Sequence, residues 1–284
     1  MFEIVYRYDP ASPHEPVPQT PAEAKAWLER GNRHFATLLD VPSLSEQSRR
    51  VLPLDPHDFG LGGIDDKAPA QEPFAAILGC ADARVPTEIV FEQGCNDLFV
   101  VRVAGNVVGS ECLGSLSYAV HHFHSLKLIA VLGHLHCGAV TAAVDLYMQP
   151  GKYLAFATNY PIQSIVNRIS PAVRGAVLAL RRVHGFDVAD RSGYRAALVE
   201  LTVVLNAAWA AFSLKQELAD RENSPLEVVF GVYDLVSRYV RLPIAPPGPD
   251  SPDAGLHAPP TDERGFELLA DRVADGAFIR ALLA

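Results

Sequence analysis

The chain has 284 residues, 49% of them apolar, with a formal charge of −9 and a pI near 5.5. That length suits one large domain or two small ones and supplies a sizeable core. The acidic balance argues against nucleic acid or an anionic membrane surface as a partner, since either selects a basic patch. The first residues carry Glu3, Arg7 and Asp9 and no apolar run, so no signal peptide is read there. The four cysteines, Cys80, Cys95, Cys112 and Cys137, fit a reducing, cytoplasmic compartment. Cys95 and Cys112 read as plain buried thiols.

Residues 1–20 are studded with proline and read as an N-terminal arm. Pro21-Ala22-Glu23 opens a helical pattern whose apolar stripe is Trp27, Leu28, Phe35 and Leu38, with proline well placed at a first helical position. Residues 40–72 read as loop. The apolar run 74–79 suits a buried strand and delivers Cys80 at its carboxyl end. A second strand is expected at 98–103, a helix at 111–124, a third strand at 126–132 ending on Gly133-His134, and a helix at 139–148. Residues 150–195 are longer and less regular than one crossover needs; 174–182 reads as a short helix within an insertion at about 165–192. A long apolar helix follows at 194–219. Glu200, Thr202, Asn206 and Ser213 interrupt it, so it reads as a buried or interface helix rather than a membrane span. A fourth strand is expected at 226–233 and a short edge strand at 238–243. Residues 242–263, rich in proline and aspartate, read as a linker. The stripe of Phe266, Leu269, Val273, Ile279 and Leu283 makes 264–284 a C-terminal helix.

Strands alternating with helices imply an α/β fold with a mainly parallel four-stranded sheet, helices on both faces and a short edge strand. Ligands bind such sheets beyond the carboxyl ends of the strands, where strand order reverses. If the first and third strands lie side by side, Cys80 and His134 meet there. The runs Cys80-Ala81-Asp82-Ala83-Arg84 and Gly133-His134-Leu135-His136-Cys137-Gly138 offer two thiols and one imidazole. Three protein ligands are what a catalytic zinc takes while keeping one position open. Asp82 stands close enough to be a fourth ligand or to be held off by Arg84. Two apart in extended chain, these side chains point to one face, and a guanidinium fork keeps a carboxylate ionised and oriented. Alone, such a pair is an ordinary surface ion pair; beside a ligand cysteine it reads as functional. Backbone N–H groups at the start of the Gly138 helix point towards Cys137. His121, His122, His124 and His136 read as solvent-facing residues, with His136 set between two ligands.

Cys80-x-Asp82-x-Arg84 followed by His134-x-x-Cys137 resembles the beta-class carbonic anhydrases. The resemblance runs from about residue 21 to 241. It takes in Gln71-Glu72-Pro73, Leu98-Phe99-Val100-Val101-Arg102, Ala104-Gly105-Asn106, Ser117-Tyr118-Ala119-Val120 and Val229-Phe230-Gly231-Val232-Tyr233-Asp234. The chain departs from that pattern at Ala81 and Ala83, where serines are more usual, at Gly94-Cys95 in place of a proline-glycine turn, and at Val103 in place of asparagine.

The resemblance implies Zn2+ held by Cys80, His134 and Cys137, with Asp82 and Arg84 as the catalytic pair. Gln71, Phe99, Tyr118 and Gly138 are then substrate-binding positions; the first three match the open form of the family and reach towards a partner subunit's zinc. The implied activity is reversible hydration of CO2 to bicarbonate and a proton, by attack of a zinc-bound hydroxide, in a homodimer or higher homo-oligomer. Hydrolysis of CS2 or carbonyl sulfide is the alternative chemistry for the same scaffold. A non-catalytic zinc protein, with Asp82 as a permanent fourth ligand, is the alternative of another class. The domain plan is an arm at 1–20, a zinc-binding α/β catalytic domain at 21–241, the linker at 242–263 and the C-terminal helix at 264–284.

Overall fold

The computed structural model describes residues 2–7, 17–38, 48–53, 55–59, 61, 68–152, 160–218, 226–248 and 250–284. Strands β1 (Phe2–Arg7) and β2 (Ser48–Pro53) pair in parallel as a small separate sheet, within stretches that read as arm and loop. The main sheet consists of β3 (Ala75–Gly79), β4 (Leu98–Arg102), β5 (Leu128–His134), β6 (Glu227–Tyr233) and β7 (Val240–Arg241), in the order β4-β3-β5-β6-β7. The first four strands run parallel and β7 pairs antiparallel with β6 at the edge. This is the architecture expected from the alternating pattern.

Helices cover both faces, which is why the strands are unbroken apolar runs: every residue of β3 and β5 is buried. Successive side chains alternate between two cores. Ala76, Leu78, Ile129, Val131 and Phe230 enter one, and Ala75, Ile77, Leu128, Ala130 and Val229 the other.

Helix α1 (Pro21–Thr37) covers the second face through Ala24 and Leu28. It starts at a capping box, with Thr20 and Glu23 bonding each other's backbone N–H and Pro21 at the first helical position. Asn32, 3% exposed, fastens it to the end of helix α2 (Thr87–Val90) and to the sheet edge. Its Nδ2 donates to the carbonyls of Val90 and Arg238, and its Oδ1 accepts from Val240 N at 2.7 Å. Asn32→Ala leaves the buried Val240 N–H without that acceptor. The expected cost is about 1–3 kcal/mol, read as a lower urea midpoint at unchanged slope. An unchanged midpoint would mean that α1 is held by its apolar face alone.

The first face carries helices α3 (Ser110–His122), α4 (Gly138–Met148), α5 (Tyr160–His184) and α6 (Tyr194–Glu217). The expectation of a short helix in an irregular insertion is corrected here, because α5 is one helix of 25 residues. Pro171 lies inside it, where proline removes a backbone hydrogen bond. The stripe of Val166, Ile169, Val173, Ala176 and Leu180 is nevertheless buried and carries the helix through it. Helix α6 is long and apolar enough to cross a membrane, but 83% of its most apolar stretch is buried inside this fold. It is the central core helix. It approaches β5 closely at Gly133, where a Cβ would lie 3.2 Å from that of Ala207.

The described residues of 242–263 are docked rather than an open linker. His257 bridges Phe230 of β6 and Ala254 bridges Arg241. Buried Asp253 accepts from Arg272 and from Ala245 N, while Arg241 pairs with Asp234 at 2.9 Å. The tail is also two helices rather than one, α7 (Glu263–Ala274) and α8 (Ala277–Leu283). Phe266 of α7 packs on Trp209 and Phe212 of α6, with ring centroids 5.8 and 5.5 Å apart.

Candidate metal centre

The chain runs from β3 out to β4 on one side and crosses back to β5 on the other, so strand order reverses between β3 and β5. That reversal opens a crevice at the carboxyl ends of the strands. Cys80 directly follows β3, His134 ends β5, and Cys137 is the N-cap of α4. All three are buried, and their ligand atoms lie within 4.8 Å of one another.

The His134 ring is oriented by its own turn. Its Nδ1 lies 2.9 Å from the carbonyl of Leu135, so that nitrogen carries the proton and donates, leaving Nε2 with its lone pair turned into the crevice. That Nε2 is buried and has no hydrogen-bond partner among the described residues. A buried nitrogen left bare is costly and marks a place for a cation. The sulfurs of Cys80 and Cys137 are 4.0 Å apart. Two sulfurs bound to one zinc at about 2.3 Å in tetrahedral geometry lie about 3.8 Å apart. The donor set and its spacing therefore fit zinc.

The thiols agree. Cys80 is pulled down to about 4, chiefly because the Cys137 thiol donates to it, against the opposing effect of burial. Cys137 is pushed up by that same bond to Cys80 and by burial. Two adjacent thiolates repel, and a dication is what allows both to ionise. Backbone N–H groups support each sulfur. Gly105 N donates to Cys80 Sγ at 3.3 Å, from a turn that Gly105 makes at a φ of 69°. The amides of Ala139 and Val140, at the N-terminus of α4, favour the charged form of Cys137, in line with the expectation for this helix start.

Asp82 is gripped by Arg84. The guanidinium donates through Nε to Oδ1 at 3.0 Å and through Nη2 to Oδ2 at 2.7 Å, and Arg84 N adds a bond to Oδ1. This fork holds the Asp82 carboxyl well below the usual carboxylate range. Asp82 Oδ2 is 3.7 Å from His134 Nε2, beside the ligand set.

Phe99 and Tyr118 come together on another part of the fold. Both pack on Phe123 at 5.7 Å, and Tyr118 also stacks on His122. Phe99 lies near the amino end of β4, roughly 10 Å back from the end level with Cys80 at ~3.3 Å per residue. Gln71 is exposed. Of the four expected substrate positions, the structure thus brings only Gly138, the first residue of α4, to this chain's own ligand set. A Cβ at Gly138 would meet nothing within 4 Å, so the crevice is open there. His121 and His122 bond to carbonyls of their own helix and face solvent. Cys95 and Cys112, expected to be buried, are exposed and half-buried.

Three residues of this centre escaped the sequence reading as functional positions. Arg102, at the end of β4, donates to the carbonyls of Cys80 and Asp82 and braces the loop between them. Its signal was a charge ending an apolar strand. Glu200 and Asn206 approach from α6. Their signal is polarity inside an apolar helix, which by itself argues only against a membrane span.

The family model described as carbonic anhydrase matches residues 75–238. "Carbonic anhydrase 2" of Mycobacterium tuberculosis is 44% identical over 124 residues, which cover 42% of this chain and 56% of that protein. The carbonic anhydrase of Mycolicibacterium smegmatis is 40% identical over 129 residues, 44% of this chain and 60% of that protein. The chain thus spans little more than half the length of these relatives. A solved Coccomyxa beta-carbonic anhydrase in complex with acetazolamide aligns with a TM-score of 0.44 at 26% identity, over 61% of this chain and 73% of the other.

Proposed function

Because the chain belongs to the beta-class carbonic anhydrase family, we propose that its metal centre holds zinc and hydrates CO2 reversibly to bicarbonate and a proton. One observation carries this reading: a bare, buried His134 Nε2 faces two cysteine sulfurs, with an ionised Asp82 fixed beside it. Zinc, when bound, supplies Lewis acidity that lets water act as a nucleophile at neutral pH.

The remaining work falls to the chain itself. Cys80, His134 and Cys137 would hold the ion. Asp82 is an acceptor only, because Arg84 keeps it ionised. Its carboxylate takes the hydrogen bond of the attacking water and so aims that water's lone pair at the carbon of CO2. Arg84 fixes the carboxylate plane by its two-pronged grip. Gly138 leaves space for the linear substrate at the start of α4.

We place the working unit at a homodimer or larger. β4 is the outer strand of the sheet, and Gln71, Phe99 and Tyr118, remote from their own ligand set, gain a site to line if a second copy packs there. The free thiols, two of which must stay reduced to bind metal, favour a cytoplasmic setting.

Stopped-flow hydration with a pH indicator tests the reading. The purified chain is expected to carry about one zinc, to hydrate CO2 with saturation, to lose that activity on chelation, and to act more slowly on CS2 and carbonyl sulfide. Faster turnover of either sulfur compound would displace CO2 as the substrate. Bound zinc with no activity on any of the three would make this a non-catalytic zinc protein.

A further inference from the structure

Polar side chains buried in an apolar helix need partners. In α6, Glu200 and Asn206 are 3% and 2% exposed, and both find theirs in the metal centre, on opposite sides of it. Glu200 commits both carboxylate oxygens to a single residue. His136 N donates to Oε2 at 3.1 Å, and His136 Nδ1 lies 2.8 Å from Oε1. His136 sits between the ligands His134 and Cys137 with a φ of 58°. That left-handed conformation is disfavoured for a residue with a side chain and persists only where its surroundings enforce it. A buried carboxylate gripping both the main chain and the ring of His136 is such an enforcement.

On the other side, Asn206 Nδ2 donates to Gly105 O at 2.8 Å, and Gly105 N donates to Cys80 Sγ at 3.3 Å. In the same stretch α6 passes against Gly133, the neighbour of His134, with Val203 and Ala207 in close contact. One rigid, buried helix therefore meets the Cys80 side of the centre and the His134–Cys137 turn at the same time.

We propose that Glu200 and Asn206 are positioning residues of the metal centre. Through them α6 sets the separation between Cys80 and the His134–Cys137 turn, and with it how tightly zinc is held. The inference rests on the zinc reading given above. A merely structural role would lower stability and leave zinc retention and ligand geometry unchanged.

The test compares the wild type with Glu200→Gln and Asn206→Ala. Two quantities are read: the rate at which the loaded enzyme surrenders zinc to a chromophoric chelator, and the visible spectrum of the cobalt-loaded protein. Glu200→Gln keeps the shape but turns one acceptor into a donor. It is expected to release zinc about 10–100-fold faster with shifted cobalt bands. Asn206→Ala carries the same expectation as Glu200→Gln and stands in for it if that variant fails to fold. If the wild type binds zinc and both variants release it at the wild-type rate with the wild-type spectrum, the positioning role is wrong, whatever their melting temperatures. A wild type that takes up no zinc overturns the zinc reading itself, and this inference with it.

Discussion

Asp82→Asn is expected to keep about one zinc per chain and to lose CO2 hydration by about 10²-fold or more, the usual scale for a positioned proton acceptor. The substitution preserves size and removes the charge. An ionised carboxylate offers lone pairs only, whereas an amide presents N–H groups on one side and can turn a donor towards the water it should receive. The two-pronged grip of Arg84 on both oxygens is lost at the same time. Because Asp82 is held by Arg84, with Oδ2 at 3.7 Å from His134 Nε2, metal content should not depend on it. The loss should fall on kcat rather than KM, since CO2 has no charge for Asp82 to bind. Metal analysis and stopped-flow hydration on the same preparation separate the two effects. Wild-type kcat in a zinc-loaded Asp82→Asn would remove Asp82 from the reaction. Loss of zinc together with activity would instead make Asp82 part of the ion's own ligand set.

Cys80→Ala is expected to weaken zinc binding on the order of 10³-fold, so that the protein is purified essentially without metal. Structural zinc sites with four ligands bind with apparent free energies of about 10–16 kcal/mol, so each ligand accounts for several. The cavity left by one buried sulfur atom is small, and β3 is held independently by β4 and β5. The fold should therefore survive. The remaining change is linkage: a ligand that binds only the native state raises its stability with concentration. Added zinc should raise the melting temperature of the metal-stripped wild type and leave that of Cys80→Ala unmoved. A Cys80→Ala protein that still carries one zinc would place the metal elsewhere.

Much of the site could be read along the chain because its parts are local. Cys80, Asp82 and Arg84 lie within five residues, and His134 and Cys137 within four. Each cluster follows a strand that announces itself as an apolar run. The rule that ligands gather where strand order reverses then joins the two clusters before any coordinate is known. Patterns that local composition imitates misled. Residues 174–182 read as a short helix within an insertion, but a continuous buried stripe runs through Pro171 and makes α5 one helix of 25 residues. Residues 242–263 have the composition of a linker, yet Asp253 binds Arg272 and His257 bridges Phe230.

The sequence by itself determined the donor set, the carboxylate–guanidinium pair and the parallel sheet that presents them, because each depends on residue type and short spacing. Only the tertiary structure decided what holds the donors in place. Arg102 braces a loop 20 residues earlier, Glu200 reaches His136 across 64 residues and Asn206 reaches Gly105 across 101. A buried polar side chain must find a partner, but neither its identity nor the period around it says which. That choice is made when α6 packs against Gly133 and brings two polar side chains of an apolar helix to opposite sides of one site.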